Sequence, residues 1–177
     1  MKRSRPLSLV TAVTDGESFE ALRYLTDKKQ QVVLGSQVLE TIVRHRQLRD
    51  GLPEAGGMLF AQISVSEVSI VEATEPQISD RRSRFSFWPC TLAQQRSINT
   101  KFKAGLHFVG EWHTHPEPRP HPSGLDFDSM EQCFLKSRHE LKALVMVILG
   151  TDPIPNGLWV SLHNGRGCQP LRRNTRE

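Results

Sequence analysis

The spacing of hydrophobic and polar positions changes several times along the chain, and each change marks an element. Residues 31–35 (QVVLG) read as a short strand. Val38, Leu39, Ile42 and Val43 then recur at helical spacing. This predicts a helix from Ser36, placed to cap it, through Arg49, with Gly51 ending it. Residues 56–74 alternate around Ser64–Ile70, which predicts two strands joined by a tight turn. The Arg-rich Ser79–Arg84 segment leads into Phe85–Pro89, read as a loop and a short edge strand closed by its proline. A helix is predicted over 91–102 with Gly105 as its stop, followed by a strand over 106–115 that Pro116 ends. Four prolines make 116–124 a stiff loop. Residues 125–140 are helical, with Leu125, Met130, Phe134 and Leu135 as core candidates. Residues 143–150 form the most apolar strand, expected at the centre of the sheet, and 157–163 add another. Mixed helices and strands, several strands being contiguous, imply an α+β domain layered α/β/α.

Composition narrows the class. With 177 residues the chain fits a single domain, 1–177, large enough for a proper core. Hydrophobic residues make up 37% and charged residues 24%, as in an ordinary globular protein. No apolar run reaches about 18 residues, so no membrane span is expected. The basic start MKRSRPLSLV lacks the apolar stretch of a signal peptide. A cytoplasmic protein is the expectation. Cys90, Cys133 and Cys168 form neither a disulfide framework nor a metal knuckle and read as buried free thiols. The net charge of +4 is concentrated at the ends, in Lys2, Arg3 and Arg5 and in Arg166, Arg172, Arg173 and Arg176. Without a recognition motif or stacking aromatics, these read as solvated tails and not as a nucleic-acid surface.

Candidate chemistry lies in Gly110–Pro116 and Ser123–Asp126. Residues two apart on a strand share a face, so His113 and His115 point the same way, about 6.5–7 Å apart along the backbone. The stiff loop returns Asp126 on the first turn of the next helix. Two imidazoles and one carboxylate make a catalytic type of zinc site, because the fourth tetrahedral position stays free for water. Such a site needs a base. Glu54, before Gly56 and Gly57, stands between the first helix and a strand, and the glycines permit close backbone approach. Glu54 would take a proton from water and hand it to the leaving amine. Ser123 could hydrogen-bond the oxyanion.

These residues resemble the JAMM, or MPN-plus, motif of the Mov34/JAB zinc metallopeptidases: an upstream Glu, then His-x-His-Pro, six residues and Ser-x-x-Asp. Here His113-Thr114-His115-Pro116, residues 117–122 and Ser123-Gly124-Leu125-Asp126 fit it without a gap. The upstream Glu54-Ala55-Gly56-Gly57-Met58-Leu59 matches Glu-x-Gly-Gly-x-Leu. The resemblance covers about residues 30–165, leaving basic tails at both ends. It implies a mixed sheet flanked by helices, of the cytidine-deaminase-like type. It also implies Zn²⁺ held by His113, His115 and Asp126, with Glu54 and Ser123 as the catalytic pair. Within the family, Gly110–Pro116 and the compact length are most similar to stand-alone bacterial members of anti-phage CBASS operons. That resemblance implies a deconjugating isopeptidase. Its substrate would be the C-terminal tail of a cGAS-like nucleotidyltransferase that a ubiquitin-ligase-like E1–E2 fusion had attached to a target. Processing of a ubiquitin-like or sulfur-carrier tail and a non-catalytic scaffold are the alternatives.

Other residues have competing roles. Ser-x-x-Asp before a helix is also a capping sequence, and Asp126 at a helix N-terminus is stabilised as an anion with or without metal. Glu111 shares the strand parity of His113 and is a rival base or a partner that orients an imidazole. Asp128 lies about 200° round the helix from Asp126 and cannot face the same ion. His121 sits in the loop, where it is solvated or meets substrate. His45, His107, His139 and His163 read as structural, and Trp112 points away from the histidine face into the core. Deaminase chemistry lacks its Pro-Cys-x-x-Cys element, since Pro89-Cys90 is followed by Thr91, Leu92 and Ala93.

Overall fold

The computed structural model describes residues 18–175. In chain order the elements are β1 (Leu22–Leu25), β2 (Gln31–Leu34), α1 (Ser36–Val43), β3 (Gly56–Ile63), β4 (Glu67–Ala73), β5 (Arg81–Ser83), β6 (Ser86–Trp88) and α2 (Thr91–Lys103). They continue with β7 (His107–Thr114), α3 (Gly124–Lys136), β8 (Leu144–Leu149), β9 (Leu158–His163), β10 (Cys168–Pro170) and β11 (Arg172–Arg173). Nine strands form one mixed sheet in the order β10-β9-β8-β7-β3-β4-β2-β1-β11, while β5 and β6 form a separate hairpin. The pairs β2–β4 and β7–β8 are parallel and the others antiparallel.

The sheet is covered on both faces, which gives the α/β/α layering of an α+β domain. On one face α1 buries Val38, Leu39 and Ile42 against a large cluster that includes Leu59, Trp112, Val147 and Leu149. On the other, Met130 of α3 packs on Leu144, Met146 and Ile148. Strand β8 alternates between these clusters, so all six of its residues are buried. Its unbroken apolar run follows from that two-sided burial. It lies third from the edge, however, and the middle position belongs to β3.

Several boundaries differ from expectation. Helix α1 ends at Val43 and not at Arg49, because the chain leaves the axis through the tight bonds His45 N–H to Ile42 and Arg46 N–H to Val43. Its cap position is Gly35, with no side-chain bond; Ser36 is already helical. Helix α3 stops at Lys136, where Ser137 turns extended. It packs along a narrow stripe, so Met130 is buried while Leu125 and Leu135 are 54% and 65% exposed. Residues 85–89 do not join the main sheet as an edge strand; β6 pairs only with β5. The sheet also reaches beyond 30–165, to β1 at one end and to β10 and β11 at the other. Arg172 and Arg173 thus pair with Leu25 and Tyr24 while staying exposed. Lys2, Arg3, Arg5 and Arg176 lie outside the described residues. The three cysteines are free, but each is half-buried and not fully buried.

An irregularity in β7 decides which face its side chains take. Between β3 and β7 the register slips: Leu59 faces Gly110 while Phe60 faces Phe108. This β-bulge leaves Val109 as the extra residue. Gly110 has φ +150°, and a Cβ there would lie 1.8 Å from the Val145 carbonyl oxygen, so only glycine fits. Side-chain parity reverses across it. Phe108 packs with the α3 cluster and Val109 with the α1 cluster, but beyond the bulge Trp112 packs with the α1 cluster. His113 lies beside Ile148, on the α3 face.

Candidate metal centre

Strand β7 and the start of α3 bring three metal-ligating side chains together. His113 Nε2 and His115 Nε2 are 3.1 Å apart. Asp126 Oδ1 lies 3.2 Å from His113 Nε2, and Oδ2 lies 3.4 Å from His115 Nε2. A tetrahedral ion with bonds of about 2.0–2.1 Å needs donor–donor edges of about 3.3 Å. Two imidazole nitrogens and a carboxylate at this spacing fit a small borderline-soft cation such as zinc, which His113, His115 and Asp126 would hold. Both histidines are buried, and Asp126 is partly buried.

The local sequence explains the placement. His115 stays in line after the strand because its N–H bonds the Leu149 carbonyl. Thr114, between the two ligands, exchanges bonds with Ala55: Ala55 N–H donates to Thr114 Oγ1 (2.9 Å), and Thr114 N–H to the Ala55 carbonyl (2.8 Å). The Glu54 segment is thereby pinned beside the imidazoles. Gly56 allows this close pairing, since a Cβ there would meet the Trp112 carbonyl oxygen of β7 at 2.7 Å. Asp126 is fixed by a capping box at the start of α3. Ser123 N–H and Oγ–H both donate to Asp126 Oδ2, at 2.6 and 2.7 Å, and Asp126 N–H donates to Ser123 Oγ at 3.3 Å.

Electrostatics separate the two carboxylates. Burial alone would raise the Asp126 carboxyl, but hydrogen bonds from His113, His115 and Ser123 overcome it and hold it well below the usual range. Asp126 is therefore an anion ready to ligate. Glu54, 4% exposed, is pushed up to about 7 by burial, with the Asp126 and Glu117 charges adding and His115 opposing. Its Oε1 lies 3.9 Å from His115 Nε2. A carboxyl near 7 can both accept and return a proton at neutral pH. Burial lowers the affinity of His115 for a proton, yet Asp126, Glu54 and Glu117 outweigh it and raise the imidazole.

The remaining candidates sort themselves by contact. Glu111 lines the pocket beside His113, but its partner is Gln94 of α2, whose Nε2 donates to Glu111 Oε1 at 2.8 Å. It is not bonded to an imidazole, and desolvation pushes its carboxyl up. Gln94 is a residue that sequence reasoning missed, since only the packing of α2 on β7 brings the two together. Asp128 is outside the ligand group. His121 is exposed and stacks on Trp159, with ring centroids 5.1 Å apart. His45 pairs with Glu75 and stacks on Trp112, His107 meets Phe102, and His139 donates to the Phe134 carbonyl. His163 bonds Ser161, and burial lowers it to about 4. All four serve the fold. Trp112 is fully buried on the opposite face and donates to the Thr74 carbonyl.

A narrow pocket of about 40 Å³ opens beside His113 and Asp126. Glu54, Glu111, His113, Ser123 and Asp126 line one side, and Phe85, Phe87 and Trp88 of the β5–β6 hairpin form its roof. Phe85, Trp88 and Leu125 at the rim are 67%, 51% and 54% exposed.

A mixed sheet that sets a His-x-His strand against a capped aspartate and a buried glutamate is the arrangement of a JAB/MPN-type domain. The family model for prokaryotic homologs of the JAB domain matches residues 35–161, and the chain belongs to that family. It is similar to the "CD-NTase/cGAS isopeptidase" of Enterobacter hormaechei subsp. hoffmannii (strain UCI 50), 34% identical over 143 residues, 80% of this chain and 79% of that protein. The protein of the same description from Pseudomonas aeruginosa (strain BWHPSA011 / Pa011) is 32% identical over 144 residues, 80% and 88% of the two chains. Among solved structures, protein DSY2949 from Desulfitobacterium hafniense superposes with a TM-score of 0.56 at 19% identity, covering 82% of this chain and 87% of that one, and supports the fold. Among the described residues, no helix is long and apolar enough to cross a membrane.

Proposed function

We propose that this chain is a zinc-dependent isopeptidase that removes the conjugated C-terminal tail of a cGAS-like nucleotidyltransferase from its target. The observation that carries the reading is the convergence of two imidazole Nε2 atoms 3.1 Å apart on the Asp126 carboxylate, whose two oxygens lie 3.2 and 3.4 Å from them, with a buried glutamate 3.9 Å from His115. His113 and His115 would hold zinc through Nε2 and Asp126 through its carboxylate. When bound, zinc supplies a Lewis acid that acidifies water and polarises a carbonyl. Glu54 accepts the proton of the attacking water and returns it to the amine nitrogen as the carbon–nitrogen bond breaks. Ser123 holds Asp126 in the resting site, and its single hydroxyl proton must leave Oδ2 to reach the oxyanion. The pocket and its aromatic roof receive the tail next to the scissile bond. The nucleotidyltransferase substrate rests on the names of the relatives, which are 32–34% identical over four-fifths of the chain. Three free thiols suit a reducing compartment, and we place the activity in the cytoplasm.

The test uses purified wild type and Glu54→Gln, zinc measured by mass spectrometry, and a fusion carrying the nucleotidyltransferase C-terminus. Both proteins should carry one zinc, and Glu54→Gln should cleave about 10²–10⁴-fold more slowly. Wild type that holds zinc and cuts no such tail would overturn the substrate. Equal cleavage by the two proteins would overturn the base.

A further inference from the structure

Two consecutive carbonyls at the hairpin turn receive donors from the segment that carries Glu54. The Glu54 N–H donates to the Ser83 carbonyl at 2.7 Å. Gln47 Nε2 donates to the Arg84 carbonyl at 3.2 Å and to the Leu52 carbonyl at 3.0 Å. Asp50 adds an exposed ion pair to the Arg84 guanidinium at 3.0 Å. On its other side the segment is bonded to Thr114, between the two histidine ligands. Glu54 is therefore suspended between the strand that bears the ligands and the hairpin that roofs the pocket.

Gln47 is 5% exposed, and its Oε1 is buried without a partner among the described residues. An unmade acceptor in the interior is destabilising, and an apolar side chain of the same length would fill the space without it. What the amide alone provides is its pair of donors, and both go to carbonyls, one in the Glu54 loop and one in the hairpin.

We propose that Gln47 is a positioning residue for Glu54, locking the general base and the hairpin above the pocket into one rigid unit. The inference rests on the reading of Glu54 as base. A misplacement of about 1 Å can cost about 10²-fold in rate, so partial loosening should show in kcat. Gln47 does not itself line the pocket, so substrate binding should hardly change.

The test compares full-length, zinc-loaded wild type, Gln47→Met, Gln47→Asn and a remote core variant, Val32→Ala, on the fusion substrate. Gln47→Met keeps the size but lacks the donors; Gln47→Asn keeps the amide but is too short to span both carbonyls. Each should retain zinc, lose about 10–100-fold in kcat and keep KM within about threefold. Val32→Ala should lower Tm by at least as much with kcat within about twofold. In the Glu54→Gln background, Gln47→Met should add less than about twofold. Unchanged kcat in both Gln47 variants would overturn the inference. So would an equal kcat loss in Val32→Ala, or an undiminished loss without Glu54. An inactive wild type would instead overturn the proposed activity. If Gln47→Met does not fold, Gln47→Asn decides alone.

Discussion

The two faces of the sheet are built from different materials. Toward α1 lies a large apolar cluster to which the helix contributes three fully buried side chains. Toward α2 and α3 the apolar cluster is small, and buried polar groups stand beside it: His113, Ser161 and His163, with Glu111 nearby. Helix α3 buries only Met130, and α2 buries no residue, its Leu92 being 74% exposed. Apolar burial is the main stabilising term. Keeping carboxyls and imidazoles dry opposes it. The contrast shows one face holding the fold together while the other keeps reactive groups poised.

Four substitutions probe that contrast. Leu39→Ala, on the apolar face, should lower unfolding free energy by about 2–5 kcal/mol in denaturant titrations. Zinc content and kcat should be unchanged wherever it stays folded; a selective loss of activity would mean the faces are coupled. Glu54→Gln tests the polar face through pH. Burial raises the Glu54 carboxyl from 4.5 to about 7 in the folded chain. Its favourable contribution is complete below about 4.5 and is lost as pH rises through 7, because the folded state then holds an ionised buried group. Asp126, held low, acts with the opposite sign but is common to both proteins. Zinc-free Glu54→Gln should therefore gain about 2–3 kcal/mol relative to wild type between pH 5 and pH 8, by the linkage relation. A difference flat with pH would contradict the desolvated carboxyl. Ser123→Ala removes the capping box and should cost about 1 kcal/mol. It should also weaken zinc about tenfold in chelator competition. A kcat loss with stability and zinc affinity intact would assign Ser123 to the oxyanion alone. Smallest of all, Leu92→Glu on α2 should change stability by less than about 0.5 kcal/mol; a larger loss would show α2 packing more tightly than its exposure implies.

How much of the molecule was legible depended on the range of the interactions. The grouping of His113, His115 and Asp126 could be read because strand period, proline and capping box act within fourteen residues, from His113 to Asp126. Glu54 was readable from the glycine pair after it and from its resemblance to a family pattern, since nothing local joins it to β7. The early end of α1 was not legible, because Gln47 leaves the helix to serve carbonyls at Leu52 and Arg84. Nor were the exposed positions of Leu125 and Leu135, as a helical stripe does not say how wide its partner surface is. The edge strands β10 and β11 are three and two residues long, and β11 is defined only by its distant partner β1.

The bulge at Val109–Gly110 makes the length of this strand a coded quantity. Beyond it the side chains are displaced by half a period, and this puts the imidazoles rather than Trp112 on the α3 side. Removing one residue there would restore plain alternation. The two histidines would then turn into the apolar layer and Trp112 into the catalytic cleft, with no change in ligand identity or spacing. Removing two would shorten the strand and keep each side chain on its face. The proposed metal centre therefore depends on whether the residue count on this side of His113 is odd or even.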